Sequence, residues 1–478
     1  MGDDKMRIIG RLKEQVILSN ALKSKKAEFY VVYGRRRVGK TYLIKEYFNQ
    51  RFSFYSTGIA NEKTHQQLKV FNQALKQYGC KDTHIPKDWF EAFERLKNIL
   101  QSENVYRDVE SNKKVVFLDE LPWMDTARSD FKSALEYFWN SYGSSQSDLM
   151  LIVCGSATSW IISNILLAKG GLYNRITGQI HLFPFSLKEC EELFELNGLK
   201  MTRKQVIESY MVFGGIPYYL NFLDKRLSLA QNIEELCFNE SGQLHYEYDN
   251  LFRSLFKNST KHVAIIKSMA KKRTGITRVE LAEVEDIGNG EPLTKALREL
   301  EQCGFIRKYQ NYTKEKNVAF YQVIDPFVIF ALNFLQAPRL SSWLTYINTP
   351  SYYAWCGNAF EIVCLNHLQQ IKTALGIAGI ETMSYSWKSK EKINGAQIDL
   401  LIDRRDDVIN VCEMKYTLAP FVIETEYEKN LRNKCMVFSR ETASKKSLHL
   451  TLIAASGLKS NEYTDIIQNV LTGDDLFR

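Results

Sequence analysis

Lys40 and Thr41 close the run GRRRVGKT at residues 34–41, and Asp119 and Glu120 end the run VVFLDE. A lysine and a hydroxyl behind a glycine loop suit phosphate and Mg²⁺, and an acidic pair at a strand end suits a metal shell and an attacking water. The chemistry implied is cleavage of a phosphoanhydride. A second set lies far downstream, where Asp399 is followed after thirteen residues by Glu413, Met414 and Lys415, with Glu361 upstream. Two carboxylates and a lysine on a sheet suit metal-dependent phosphodiester cleavage, with Asp399 and Glu413 as Mg²⁺ ligands and Lys415 activating water.

Elements must hold the first set in place. EFYVVY before the loop has the aromatic and β-branched character of a buried strand, and TYLIKEYFNQ after it has helical spacing. Strand, loop and helix together aim backbone N–H groups and the positive helix end at a phosphate. In this reading Gly34 and Gly39 permit the tight loop, Lys40 reaches the β- and γ-phosphates, and Thr41 ligates Mg²⁺. Arg35, Arg36, Arg37 and Val38 line the loop through their backbone, with Tyr42 following in the helix. The three arginine side chains are expected to point outward, solvated or paired with acids. Asp119 would complete the Mg²⁺ shell and Glu120 would polarise the water.

A third strand, DLMLIVCGSATSW, ends at Ser156, where a γ-phosphate sensor or a helix-capping serine would sit. Arg175, in GGLYNRITGQIHLFPFSLKE, is either a surface arginine or a finger that stabilises transition-state charge, in cis or from a neighbouring subunit.

The set IIGRLKEQ, GRRRVGKT, FLDE, GSAT, NRITGQIHLFPFSLKE and GGIPYYL resembles the archaeal-type AAA ATPases, close to the STAND signalling ATPases, over roughly residues 6 to 250. The resemblance implies ATP and Mg²⁺ as cofactors. It places Ile9, Gly10 and Arg11 near the adenine and GGIPYYL in a helical lid, and the three loop arginines are usual among these relatives.

From Lys261 to Asp325 the pattern changes. HVAIIKSMAK, TRVELAEVE and EPLTKALRELEQCGFIRK read as helices, and FIRKYQNY and VAFYQVID as a hairpin about the charged turn TKEKN. Three helices and a hairpin make a winged helix. Its DNA-binding reading puts Lys295 and Arg298 in the major groove and Lys314 and Lys316 near phosphates. Glu291, Glu299 and Glu301 on the same helix repel phosphates, so a lever or packing role stands beside it.

In the last part, WCGNAFEIVCLNHLQQI reads as an amphipathic helix carrying Glu361, and AQIDLLID and VINVCEMKY as a hairpin about RRDD. Folding about that turn sets Asp399 opposite Cys412, one residue from Glu413. The pattern resembles the PD-(D/E)XK nuclease superfamily over about residues 355 to 455, a domain type that commonly ends archaeal-type ATPases.

Composition agrees. A chain of 478 residues with 45% hydrophobic and 25% charged residues is globular and too long for one core. Nine dispersed cysteines without a C-x-x-C pair argue against disulfides or zinc, no apolar run suits a membrane span, and a cytoplasmic protein is expected. A net charge of +8 permits a polyanionic partner. The expected organisation is α/β. A P-loop parallel-sheet ATPase core spans 1–200, a helical lid 201–258, a winged helix 259–335, a linker 336–354 and an α/β restriction-endonuclease-like domain 355–478. The expected partners are ATP and nucleic acid, DNA before RNA, with a homo-oligomer or protein partner also open. The rival reading is a nucleotide-dependent switch that binds DNA or protein without cutting.

Overall fold

The computed structural model describes residues 8–167, 172, 174–256, 258–272, 274–312, 318–336, 339–390 and 395–478. The chain divides into two compact units, one ending at Phe183 and the other starting at Pro184.

In the first unit five strands form a parallel sheet: β1 (Glu28–Tyr33), β2 (Phe54–Thr57), β3 (Lys114–Asp119), β4 (Leu149–Gly155) and β5 (Gly178–His181). The order across the sheet is β2-β3-β4-β1-β5. β1, β3 and β4 are buried at every position, as parallel strands covered on both faces must be. That burial explains why they read as continuous apolar runs. Helices Thr64–Gln77, Trp89–Gln101 and Phe131–Ser141 add Phe71, Trp89, Phe93, Phe131 and Trp139 to the core. Because β4 lies between β1 and β3, the carboxyl ends of these neighbouring strands bring the loop, the acidic pair and Ser156 to one edge. Such an edge is where open α/β sheets bind ligands.

The second unit starts with helices Leu187–Leu196 and Arg203–Phe213, each opened by a capping box, Ser186 with Glu189 and Thr202 with Gln205. Helix Arg203–Phe213 packs on helices Pro326–Phe334 and Pro350–Asn366. Leu187 N donates to the buried His367 Nε2 (3.0 Å), and Tyr416 donates to Glu208 Oε1 (2.5 Å). Both bonds tie the early helices of this unit to its C-terminal part.

Helices Thr260–Ala270, Arg278–Ala282 and Glu291–Gln302 overlap the three expected ones, but the second stops at Ala282 and the third at Gln302, leaving Ile306 to Lys308 in a strand. With them stands a small antiparallel sheet of β6 (Ile276–Thr277), β7 (Ile306–Gln310) and β8 (Ala319–Val323), in the order β6-β8-β7. The turn residues Lys314 and Lys316 lie outside the described residues. After residue 338, Trp343 is buried and its N–H donates to Glu234 Oε2 (2.6 Å).

The last sheet has the order β13-β12-β11-β10-β9, from β9 (Thr382–Lys388), β10 (Gln397–Arg404), β11 (Val408–Lys415), β12 (Ser447–Ala454) and β13 (Asn469–Thr472). β9, β10 and β11 pair antiparallel, and β11, β12 and β13 pair parallel. Helix Thr425–Thr442 packs Leu431, Val437 and Phe438 against Ile398, Leu401, Ile409 and Val411. Just beyond β7 the chain reaches this sheet's β9 edge, where Asn311 bridges Ser386 and Tyr312 N donates to Ser386 O (3.0 Å).

One register differs from the sequence reading. Leu400, not Asp399, stands opposite Cys412, and a bulge between Ile398 and Leu401 interrupts the pairing of β10 with β9. A bulge inserts a residue and re-aims side chains, and no composition signal marks this one.

Candidate functional site

In the first unit the loop after β1 turns through Gly34 (φ 141°), Arg37 (φ 72°) and Gly39 (φ 92°). A Cβ on Gly34 would lie 2.2 Å from Leu182 O, so the loop begins where no side chain has room. Lys40 is 5% exposed, and its ammonium donates to the loop carbonyls of Gly34 (2.9 Å) and Arg35 (2.8 Å). The helix Lys40–Tyr47 starts directly behind Gly39, and the N–H groups of its first turn have no intrahelical acceptor. Val38 is buried in the loop and Tyr42 is exposed.

Thr41 Oγ1 donates to Asp119 Oδ2 (2.9 Å), while Glu120 N donates to Asp119 Oδ1 (2.9 Å). Glu120 sits in the left-handed region (φ 47°), and its Oε2 accepts from Ser156 Oγ (2.9 Å) and more weakly from Ser156 N (3.3 Å). Ser156 thus meets the acidic pair. Arg11, itself at φ 53° and buried, donates from NH2 to Val38 O (3.1 Å), while Gly10 O accepts from Gln15 Nε2 (2.8 Å). Arg11 thereby ties to the phosphate loop the segment of Ile9, Gly10 and Arg11, which the resemblance places near the adenine.

The residues fit a nucleotide with Mg²⁺. A buried ammonium and the backbone N–H groups of a helix start suit phosphate, and a hydroxyl and carboxylate joined at one point are the hard oxygen ligands Mg²⁺ needs. Arg35 departs from expectation: at 4% exposure it is buried, whereas Arg36 and Arg37 are half-buried. Arg175 is exposed, and its N–H bonds Leu172 O (3.0 Å).

In the second unit Glu413 accepts from Tyr427 (2.8 Å) at Oε1 and from Lys434 (2.7 Å) at Oε2, with Lys415 Nζ 3.2 Å from Oε1. Burial alone would raise the Glu413 carboxyl, but the Lys434 and Lys415 ammonium groups outweigh it and hold the pKa below its ordinary value. Asp399 has different surroundings. Its Oδ1 accepts from Gln397 (2.7 Å), and it lines a cavity of about 210 Å³ with Glu361, Lys388 and, from the small sheet, Arg307. Ile398 and Leu401 both join the cluster that holds Ile409 and Val411, so the intervening bulge turns Asp399 away from the neighbourhood Glu413 occupies by strand alternation. Among the described residues no group of three His, Cys, Asp or Glu side chains could hold a metal ion. As arranged, Asp399 and Glu413 do not fit a shared divalent cation, because Glu413 is already neutralised by two ammonium groups.

Sequence reasoning passed over Arg307, Tyr427 and Lys434. Tyr427 and Lys434 stand seven residues apart on one helix, two turns and therefore one face, which is a signal the sequence does carry. Arg307 had none, since its place follows from how β7 meets the C-terminal sheet.

Comparison with known proteins adds a family for part of the chain. Residues 9–223 match an ATPase domain predominantly from Archaea. An uncharacterized protein of Methanocaldococcus jannaschii, MJECL04, is 25% identical over 337 residues, 66% of this chain and 67% of that protein. Among solved structures, a Walker-type ATPase of Pyrococcus abyssi is 20% identical, covering 68% of this chain and 96% of its own, with a TM-score of 0.49. The ORC2 protein of Aeropyrum pernix, in ADPNP–ADP complexes, is 14% identical over 68% of this chain and 94% of its own, with a TM-score of 0.45. The chain carries an archaeal-type ATPase domain. No helix among the described residues is long and apolar enough to cross a membrane.

Proposed function

We propose that this protein is a Mg²⁺-dependent ATP-binding and ATP-hydrolysing switch whose nucleotide state regulates a C-terminal winged-helix and nuclease-like module acting on nucleic acid. The observation that carries the ATPase part is the Thr41–Asp119 hydrogen bond beside the buried Lys40. It joins loop, helix and acidic strand at one point. Bound Mg–ATP supplies the scissile phosphoanhydride and the metal that spreads its charge. Lys40, released from the loop carbonyls, binds phosphate; Thr41 and Asp119 hold the metal; Glu120 orients and polarises water. Ser156 fixes the Glu120 carboxylate that performs this.

For the C-terminal module, the partners of Glu413 favour binding over cutting. A carboxylate held by Lys415, Lys434 and Tyr427 is charge-compensated without a metal. The non-cleaving switch, with DNA favoured over RNA as ligand, is therefore the second reading kept here.

Lys40→Ala and Glu120→Gln separate the steps. The first should abolish ATP binding, and the second should leave binding while reducing turnover at least a hundredfold. Unchanged hydrolysis in both overturns the site. Nucleic-acid retention and cleavage, assayed in Mn²⁺ with no nucleotide, ATP or a non-hydrolysable analogue and with Lys415→Ala as control, decide the output. Cutting lost in that variant supports a gated nuclease, retention without cutting supports the switch, and neither in any state refutes a nucleic-acid output.

A further inference from the structure

The cavity beside Asp399 holds an arginine that nothing above uses. Arg307 projects from β7, donates from Nε to Gln322 Oε1 (2.8 Å) across the strand pair, and lays its guanidinium 4.6 Å from the centre of the Tyr309 ring. Its terminal nitrogens make no hydrogen bond among the described residues. Asp399 acts on it electrostatically, yet the two form no ion pair within 4 Å among the described residues. Burial pulls the guanidinium down to about 10, opposed by Tyr309 and Asp399, so it stays charged at neutral pH. An arginine clamped at Nε and at its plane, with its fork open to a cavity, is pre-organised for a bidentate oxyanion.

The rest of the lining suits a phosphate ester. Arg307 and Lys388 oppose Glu361 and Asp399, Lys272 is paired with Glu280, and Gln397 occupies one oxygen of Asp399. The aromatic rings of Tyr309, Phe320 and Trp387 add flat apolar surface. A recess of about 210 Å³ has room for a single phosphate group and cannot take in the body of a duplex.

We propose that Arg307 forms, with the C-terminal sheet, a receptor for one phosphate of single-stranded nucleic acid. The site is then composite, built from β7 of the expected winged helix and from β9 and β10 of the nuclease-like sheet. This inference rests on the nucleic-acid reading above and names its substrate class.

The test is fluorescence anisotropy of a short labelled single-stranded DNA on the full chain, with Arg307→Ala and Arg307→Lys. Both variants should weaken binding about tenfold or more, because lysine keeps the charge but loses the fork. ATP hydrolysis and thermal stability of Arg307→Lys should match the parent chain, and blunt duplex binding should not change. Undiminished single-strand binding in both variants overturns this proposal while leaving the nucleic-acid reading intact. Loss of duplex binding to the same degree overturns the single-strand assignment. No nucleic-acid binding by the parent chain in any nucleotide state overturns the broader reading and this site with it.

Discussion

Replacing Gly34 with alanine should damage the ATPase unit far more than the same change at Gly39. At Gly34 a Cβ would lie 2.2 Å from Leu182 O and 3.1 Å from its carbonyl carbon, both backbone atoms. Relief requires β1 and the chain after β5 to part, which strains the bond from Leu182 N to Tyr33 O (2.8 Å). Overpacking costs about 1–3 kcal/mol, backbone strain at φ 141° a further ~1–3 kcal/mol, and the lost hydrogen bond ~1 kcal/mol. A total of about 3–7 kcal/mol is expected. For a unit of this size each kcal/mol lowers Tm by about 2–4 °C, so the fall is on the order of 10 °C. At Gly39 nothing lies within 4 Å of a Cβ, and only the φ of 92° is charged against alanine, about 1–2 kcal/mol. Differential scanning calorimetry of the full chain with both variants measures this, and ATP titration shows whether the loop still binds. A Gly34→Ala loss under 1 kcal/mol, or a Gly39→Ala loss exceeding it, would refute the close-approach argument.

Three further outcomes are expected. Ser156→Ala removes a charge-assisted bond to Glu120 worth about 1.5–3 kcal/mol and should lower kcat roughly tenfold to a hundredfold with ATP affinity unchanged; a loss confined to affinity would make Ser156 a phosphate contact instead. Burial pulls the His367 imidazole from 6.5 down to about 4, so the unfolded chain binds the extra proton first. Stability present above pH 6.5 should therefore fall as pH drops towards 4, by on the order of 3 kcal/mol, and His367→Gln should flatten that limb in pH-dependent denaturation. Tyr416→Phe deprives the partly buried Glu208 of its phenol donor and should cost about 2 kcal/mol in urea unfolding, where no change would show that water replaces it.

The parts of the fold legible in the sequence are those where chemistry and chain order coincide. GRRRVGKT, FLDE and GSAT each end or follow a buried strand, so local pattern alone located Lys40, Thr41, Asp119, Glu120 and Ser156 near one edge. Three helices and two strands between 260 and 323 were legible for the same reason, since amphipathic spacing is local. The neighbourhood of Glu413 was not. Its partners come from a helix beyond the hairpin, and the bulge at Ile398–Leu401 alters a face assignment that strict alternation would give. Arg35 also escaped, because whether a loop side chain turns in or out is decided by what covers it.

The hydrogen bonds from Leu187 to His367 and from Tyr416 to Glu208 bear on how such a chain could be inherited. The recognisable ATPase domain ends at 223, yet its last helices share an interior with the C-terminal half. A recombination event that joined residues 1–223 to a different C-terminal half would strand Tyr210, Val212 and Tyr219, each buried here, without the neighbours that cover them. The viable crossover lies near 183, where the compact unit ends. Residues 184–478 are then transmitted as one piece, with compensating substitutions expected to pair position 208 with 416, where two side chains meet.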